Sequence, residues 1–336
     1  MKRFAALAIA AALASLTPGS VFAWGSTGHR FIGEAAVHAL PVEIPAFLRT
    51  QQAAIDVGEY SREPDRSKGA GRAHDSDRDP GHFLDLSDDG TVLGGPKLSA
   101  LPTTRAEYDA ALRASGQDSW KAGYLPYSII DRYEQLAKDL AYWRVLSAAE
   151  ANPAWKAHKA FFTPDRRRRE QHILLTIGEL SHFVGDGSQP LHVTVHFNGW
   201  GDFPNPNGYT TAKIHGPFEG DLVQASVTGA GVAARMPPPK SCNCTIAKRV
   251  ADYLAATGAQ VIPLYELEKA GGLKPGDPRG PAFATQQIAV GASELRDLIV
   301  EAWHVSANET VGYKPVAVAD VLAGKVDPYP ALYGVD

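Results

Sequence analysis

Apolar positions recur along this chain at alternating steps of three and four residues, the period of an amphipathic helix. Within 128–146, Ile129, Tyr133, Leu136, Leu140 and Trp143 fall on one stripe, and within 170–186, Ile173, Leu174, Ile177, Leu180 and Val184 form another. Residues 245–269 and 283–305 repeat the pattern and should pack against the others. No stretch sustains the period-two alternation that a major sheet requires. A short hairpin near 80–95, between Asp88-Asp89-Gly90 and Gly94-Gly95-Pro96, is the most β structure expected. The pattern therefore predicts an all-α, mainly helical fold with long loops. No internal repeat or Ser/Pro/Gly-rich linker divides it, so residues 24–336 are expected to form a single domain.

The start of the chain reads differently. Lys2 and Arg3, the apolar run Phe4 to Leu16 and the small-residue site Val21-Phe22-Ala23 make residues 1–23 a secretory signal peptide. That run is too short to span a bilayer. The expectation is an exported protein, periplasmic or extracellular and of bacterial source, without a membrane span. Losing Lys2 and Arg3 takes the formal charge from −4 to −6, which is wrong for a surface that grips duplex nucleic acid. The one basic run, Arg166 to Arg169, reads as a solvated helix start. Cys242 and Cys244 are the only cysteines, too few for a disulfide framework or a thiolate zinc site. A bond between them would close a very small ring with poor geometry, although export permits disulfides. Asn243-Cys244-Thr245 and Asn308-Glu309-Thr310 match glycosylation acceptors for a host that glycosylates.

The chemistry lies in histidine and carboxylate spacing. His182 and Asp186 are one helical turn apart, with Gln189-Pro190-Leu191-His192 close behind. His215 and Glu219 repeat the spacing, and Asp65 and His82 lie upstream. Isolated pairs of this kind are usually ion pairs, but so many in so little sequence point to metal. Neutral imidazole with carboxylate and no thiolate is the ligand mix of catalytic zinc. One tetrahedral ion does not need so many donors, so the set implies a cluster. Cleavage after Ala23 would expose Trp24, whose α-amino and carbonyl groups can chelate, with His29 completing a site. The remaining histidines (His38, His74, His158, His172, His196 and His304) have no carboxylate at comparable spacing.

Together, Trp24-Gly25-Ser26-Thr27-Gly28-His29 and the H-x-x-x-D-x-x-Q-P-x-H run from His182 to His192 resemble the zinc-dependent phospholipase C and single-strand nuclease superfamily. The W-G-x-x-G-H start is similar to its nuclease branch, the type I single-strand-specific nucleases, and the resemblance runs from Trp24 to about His304. It implies a helical fold and three Zn2+ per chain. Asp65, His82 and His182 would hold one zinc, and Asp186 would bridge to a second bound by Trp24 and His29. His192, His215 and Glu219 would bind the third. Asp65, Lys68 and Asp186 would be the catalytic residues, with Lys68 neutralising the phosphate. Phe83 would stack a base whose edge Asp85 hydrogen-bonds. The implied activity is hydrolysis of single-stranded RNA and DNA to 5′-phosphorylated products, with 3′-nucleotidase activity and poor cleavage of duplex. A nucleic-acid or nucleotide substrate is then the expected partner, and the chain a monomer without a stable protein partner.

Two positions depart from the nuclease pattern. Phe218-Glu219 stands where that branch carries Trp-Asp, and Glu219 resembles the phospholipase branch, as an enzyme acting on phosphatidylcholine would have. Gly220 replaces a phosphate-contacting Asn. Lys68 and His82-Phe83-Leu84-Asp85 match the nucleases, and Arg66 would repel a choline head group. Residues 193–214 form a loop carrying Phe197, Trp200, Phe203 and Tyr209, suited either to stacking bases or to anchoring the loop.

Overall fold

The computed structural model describes residues 24–334, so the expected signal peptide lies outside the described residues. The fold is all-α. Helices Gly25–His38, Gln51–Tyr60, Leu125–Ala151, Lys159–Ser188 and Arg279–Ser306 pack against one another, and Ile246–Gly258 closes one side against the 125–151 and 159–188 helices. Strand structure among the described residues amounts to Thr310–Val311 paired antiparallel with Val316–Ala317. No helix among them is long and apolar enough to cross a membrane.

The stripes do what their period requires. Ile129, Tyr133, Leu136 and Leu140 are buried, as are Ile173, Leu174, Ile177, Leu180 and Val184, and these belong to one large core with Trp24, Ile32, Leu254, Ile288 and Leu295. A smaller core of Val145, Leu146, Trp155 and Phe162 meets Val311, Val318 and Val321. On the 125–151 helix, facing the 159–188 helix, sits Asp139, fully buried. Its carboxylate accepts from Arg169 at 2.7 Å, Gln135 at 2.9 Å and Thr176 at 3.0 Å, and meets His172 Nδ1 at 2.8 Å. A buried charge satisfied on every side fixes the rotation of the 159–188 helix, which carries the ligands His182 and Asp186.

Three expectations need correction. The 245–269 segment is two helices, Ile246–Gly258 and Val261–Lys269; the break at 259–260 places Pro263 in a first turn, where its missing N–H costs little. The 80–95 hairpin is reduced to isolated bridges, Leu86 with Val92 and Thr91 with Lys97. Consecutive left-handed residues, Leu93 at φ 48° and Gly94 at φ 76°, prevent a continued ladder. The Arg166–Arg169 run lies inside the 159–188 helix, and Arg166 and Arg169 are taken up by Glu150, Glu170 and Asp139. Cys242 and Cys244, whose state the sequence leaves open, are disulfide-bonded with Cα atoms 5.2 Å apart. So short a loop returns little stability on closure.

Candidate metal centre

Five of the expected ligands converge where two helices meet two short turns. His182 and Asp186 come from the C-terminal half of the 159–188 helix, and His29 from the 25–38 helix. Asp65 lies on a short turn, Glu63–Arg66, and His82 ends the Asp79–His82 turn. His29, His82, His182 and Asp186 are buried. The His29 and His182 rings stack at 4.1 Å between centroids. That stack explains Gly185, since a Cβ there would stand 2.9 Å from His29 Nδ1 and 3.0 Å from Ile32.

Asp186 is the hub. One oxygen lies 3.0 Å from His82 Nδ1 and 3.3 Å from His182 Nε2, and the other lies 3.5 Å from His29 Nε2. His182 Nδ1 donates to the Ser61 carbonyl at 2.8 Å. That bond fixes the tautomer and leaves the Nε2 lone pair facing the cluster, the outer support that metal-binding histidines need. Lys68 Nζ sits 2.7 Å from Asp65 Oδ1.

The second group is separate and simpler. His192 follows the end of the 159–188 helix, while His215 and Glu219 share a wide turn whose Pro217–Leu222 part is π-helical. His215 Nε2 and His192 Nε2 approach Glu219 Oε2 at 2.8 and 3.6 Å. Each ligand has a support. His192 Nδ1 donates to the His82 carbonyl at 2.6 Å, Gln189 Nε2 donates to Glu219 Oε2 at 3.1 Å, and the His215 N–H donates to Asn198 Oδ1 at 3.2 Å. The His192–His82 bond also couples the two groups.

The donor chemistry fits divalent metal. Three sets, His29–His182–Asp186, Asp65–His82–His182 and His192–His215–Glu219, each bring ligand atoms within 4.8 Å of one another. Of fourteen buried side-chain polar atoms without a hydrogen bond among the described residues, seven belong to these ligands: both ring nitrogens of His29 and of His215, His192 Nε2, and one oxygen each of Asp65 and Asp186. Buried polar atoms are normally satisfied; Asp65 Oδ1 does have Lys68 Nζ at 2.7 Å and His215 Nε2 has Glu219 at 2.8 Å, and the concentration of the rest shows where cations could be held. Burial pulls the His29 pKa down to about 3, with His182 adding to the effect, and burial brings His82 to about 4 against its bond to Asp186. Burial opposes ionisation of Glu219, but His215 and His192 hold it below its usual range. His182 and His192 go the other way: burial lowers both, but Asp186 and Asp65 raise His182, and Glu219 with Asp186 raises His192, so a cation would have to displace protons there.

The other expected site residues are placed as follows. Trp24 is buried against Phe218, its indole donating to Ser188 at 2.8 Å, and its carbonyl accepts the Gly28 N–H at 3.0 Å. Gly28 has no room for a Cβ, which would meet Trp24 Cβ at 2.6 Å, and this accounts for its place in the W-G-x-x-G-H run. Phe83 and Asp85 flank Leu84, whose N–H donates to the His192 carbonyl, so both lie beside the seam between the two groups. Asp85 is largely enclosed, and burial lifts its pKa to about 7. Arg66 is held by Glu63 and Glu59. A cleft of about 800 Å³ opens beside the first group, lined by Pro64, Ser67, His82 and Phe183 with Arg105 and Tyr124 across it.

Sequence reasoning missed the supports Ser61, Gln189 and Asn198. Gln189 was visible inside the H-x-x-x-D-x-x-Q-P-x-H run. Ser61 acts through its carbonyl, which no side-chain pattern encodes. Of the six histidines set aside, four meet carboxylates: His74 with Asp75, His158 with Asp327, His172 with Asp139 and His196 with Asp88.

No family model matches the chain, and no curated protein matches it.

Proposed function

We propose that the mature chain is an exported zinc-dependent phosphodiesterase that cleaves single-stranded RNA and DNA to 5′-phosphorylated products and removes phosphate from 3′-mononucleotides. The observation that carries the reading is the set of unsatisfied, buried imidazole and carboxylate atoms gathered into two neighbouring groups, the first reaching an open cleft through His82. His29, Asp65, His82, His182 and Asp186, with the amino end of Trp24 once freed, would hold two zinc ions, and His192, His215 and Glu219 a third. Bound there, zinc would supply Lewis-acid charge for phosphate and lower the pKa of a coordinated water towards neutrality.

The chain's own residues do the rest. Asp186 holds three imidazoles in register. Lys68, beside Asp65 at the mouth of the first group, is positioned to share its charge with a phosphate oxygen. Phe83 and Asp85 offer a ring and a carboxyl group to an unpaired base, which requires the base to leave its stack and disfavours duplex.

Glu219 keeps a second reading in play, a phospholipase C acting on phosphatidylcholine. Incubating the cleaved, zinc-loaded protein with single-stranded RNA, single-stranded DNA and phosphatidylcholine vesicles separates the two. The proposal expects oligonucleotide products ending in 5′-phosphate and intact lipid. Lipid hydrolysis without nuclease activity would transfer the site to the phospholipase reading.

A further inference from the structure

The loop that joins the two halves of the second group carries four aromatic side chains, and the fold sorts them. Trp200 and Tyr209 are buried, packed on each other and on Tyr265, with His196 stacked on Trp200 at 3.7 Å. Phe203, 44% exposed, lies edge-on to His196 at 4.9 Å. Trp200 and Tyr209 anchor the loop. Phe197, 46% exposed, differs from Phe203 in having no aromatic ring against it among the described residues.

Its backbone is nevertheless held. The two arms of the loop are tied together. The Trp200 N–H donates to the Thr210 carbonyl at 2.9 Å, Gly199 seats against the Thr211 and Ala212 carbonyls, and Asn198 accepts the His215 N–H at 3.2 Å. Phe197 immediately precedes Asn198, and through it is tied along the chain to His215. An apolar ring kept in water on a braced backbone loses little freedom when a flat partner covers it.

We propose that Phe197 is the platform for a second unpaired nucleobase, next to the His192–His215–Glu219 group, so that two consecutive bases are gripped, one at Phe83 and one at Phe197. The inference rests on the nuclease reading and deepens it. The substrate class becomes a single strand of at least two nucleotides, with little preference for base identity, because every base presents a π-face.

The test measures equilibrium binding of a hydrolysis-resistant phosphorothioate dinucleotide, and of its two singly abasic versions, to zinc-loaded protein. Phe197→Ala should weaken dinucleotide binding about 5- to 140-fold, the equivalent of one stacked base. One abasic version, lacking the base that Phe197 covers, should bind both proteins alike. Phe197→Trp should restore affinity, and zinc content should not change in either variant. Unchanged dinucleotide binding by Phe197→Ala would overturn the inference, as would equal losses on both abasic versions. Wild-type protein that neither binds nor cleaves single strands would bring down the nuclease reading and this one with it. Wild-type cleavage alongside a Phe197→Ala variant that binds normally would remove Phe197 alone.

Discussion

The two ligand groups solve one problem by different means. The group around Asp186 draws ligands from four separated stretches of chain and depends on tertiary packing: stacked rings, a glycine that makes room for them, and a carboxylate facing three imidazoles. The group around Glu219 uses residues within 28 positions of one another, with Asn198 and Gln189 as partners of His215 and Glu219 and one link to the first group, from His192 to the His82 carbonyl. The first group should therefore be coupled to the stability of the whole bundle. The second should depend on it less, through that one shared bond.

The largest effect should come from the hub. Asp186→Asn removes a charge that serves three histidines, so activity on single strands should fall at least about 1,000-fold, beyond the 10- to 100-fold typical of losing an outer support. Zinc content should drop by more than one ion. Full activity and full metal content in that variant would end the distinction between the groups. Next comes the chain start: a residue left ahead of Trp24 would block chelation by the α-amino group and should remove most of the activity. Equal turnover and zinc content in extended and cleaved forms would show that this end is not a ligand.

Breaking the second group should be milder. Gln189→Ala leaves Glu219 without its amide partner and should cost about 10- to 100-fold in affinity for one ion, with the melting temperature of the metal-free protein nearly unchanged. A large loss of fold stability would mean that the group is not local. By contrast Gly185→Ala, in the first group, should destabilise the metal-free protein by about 1–3 kcal/mol through overpacking against His29.

A further effect is a matter of pH, read on stability rather than on activity. Burial raises the Asp85 pKa to about 7, above its unfolded value near 3.8, so the folded state binds the extra proton between those values. Stability conferred on the metal-free protein should fall as pH rises from about 4 to 7, and Asp85→Asn should relieve that loss. Melting curves should show a larger gain at pH 8 than at pH 5, and an equal gain at both would contradict the assignment.

This contrast also decides what could be read from sequence. The helices were legible because their buried faces follow the helical period, as at Ile173, Ile177 and Val184. Ligand pairs one turn apart, His182 with Asp186 and His215 with Glu219, were legible for the same reason. Placing Asp65, His82 and His29 required the resemblance, since nothing local ties residues so far apart. The break before Val261 and the collapse of the 80–95 hairpin were not legible, because each turns on backbone angles at one or two residues. Nor was the division of the 193–214 aromatics, where only tertiary packing separates anchors such as Trp200 from Phe197.

The most direct test of the account is the number of zinc ions held by the cleaved protein, counted by native mass spectrometry on wild type and His215→Ala. Two groups of the kind described predict three ions in wild type and two in His215→Ala, with the pair at Asp186 intact. Wild-type protein that binds one ion or none, or a His215→Ala variant that loses all of them together, would contradict it.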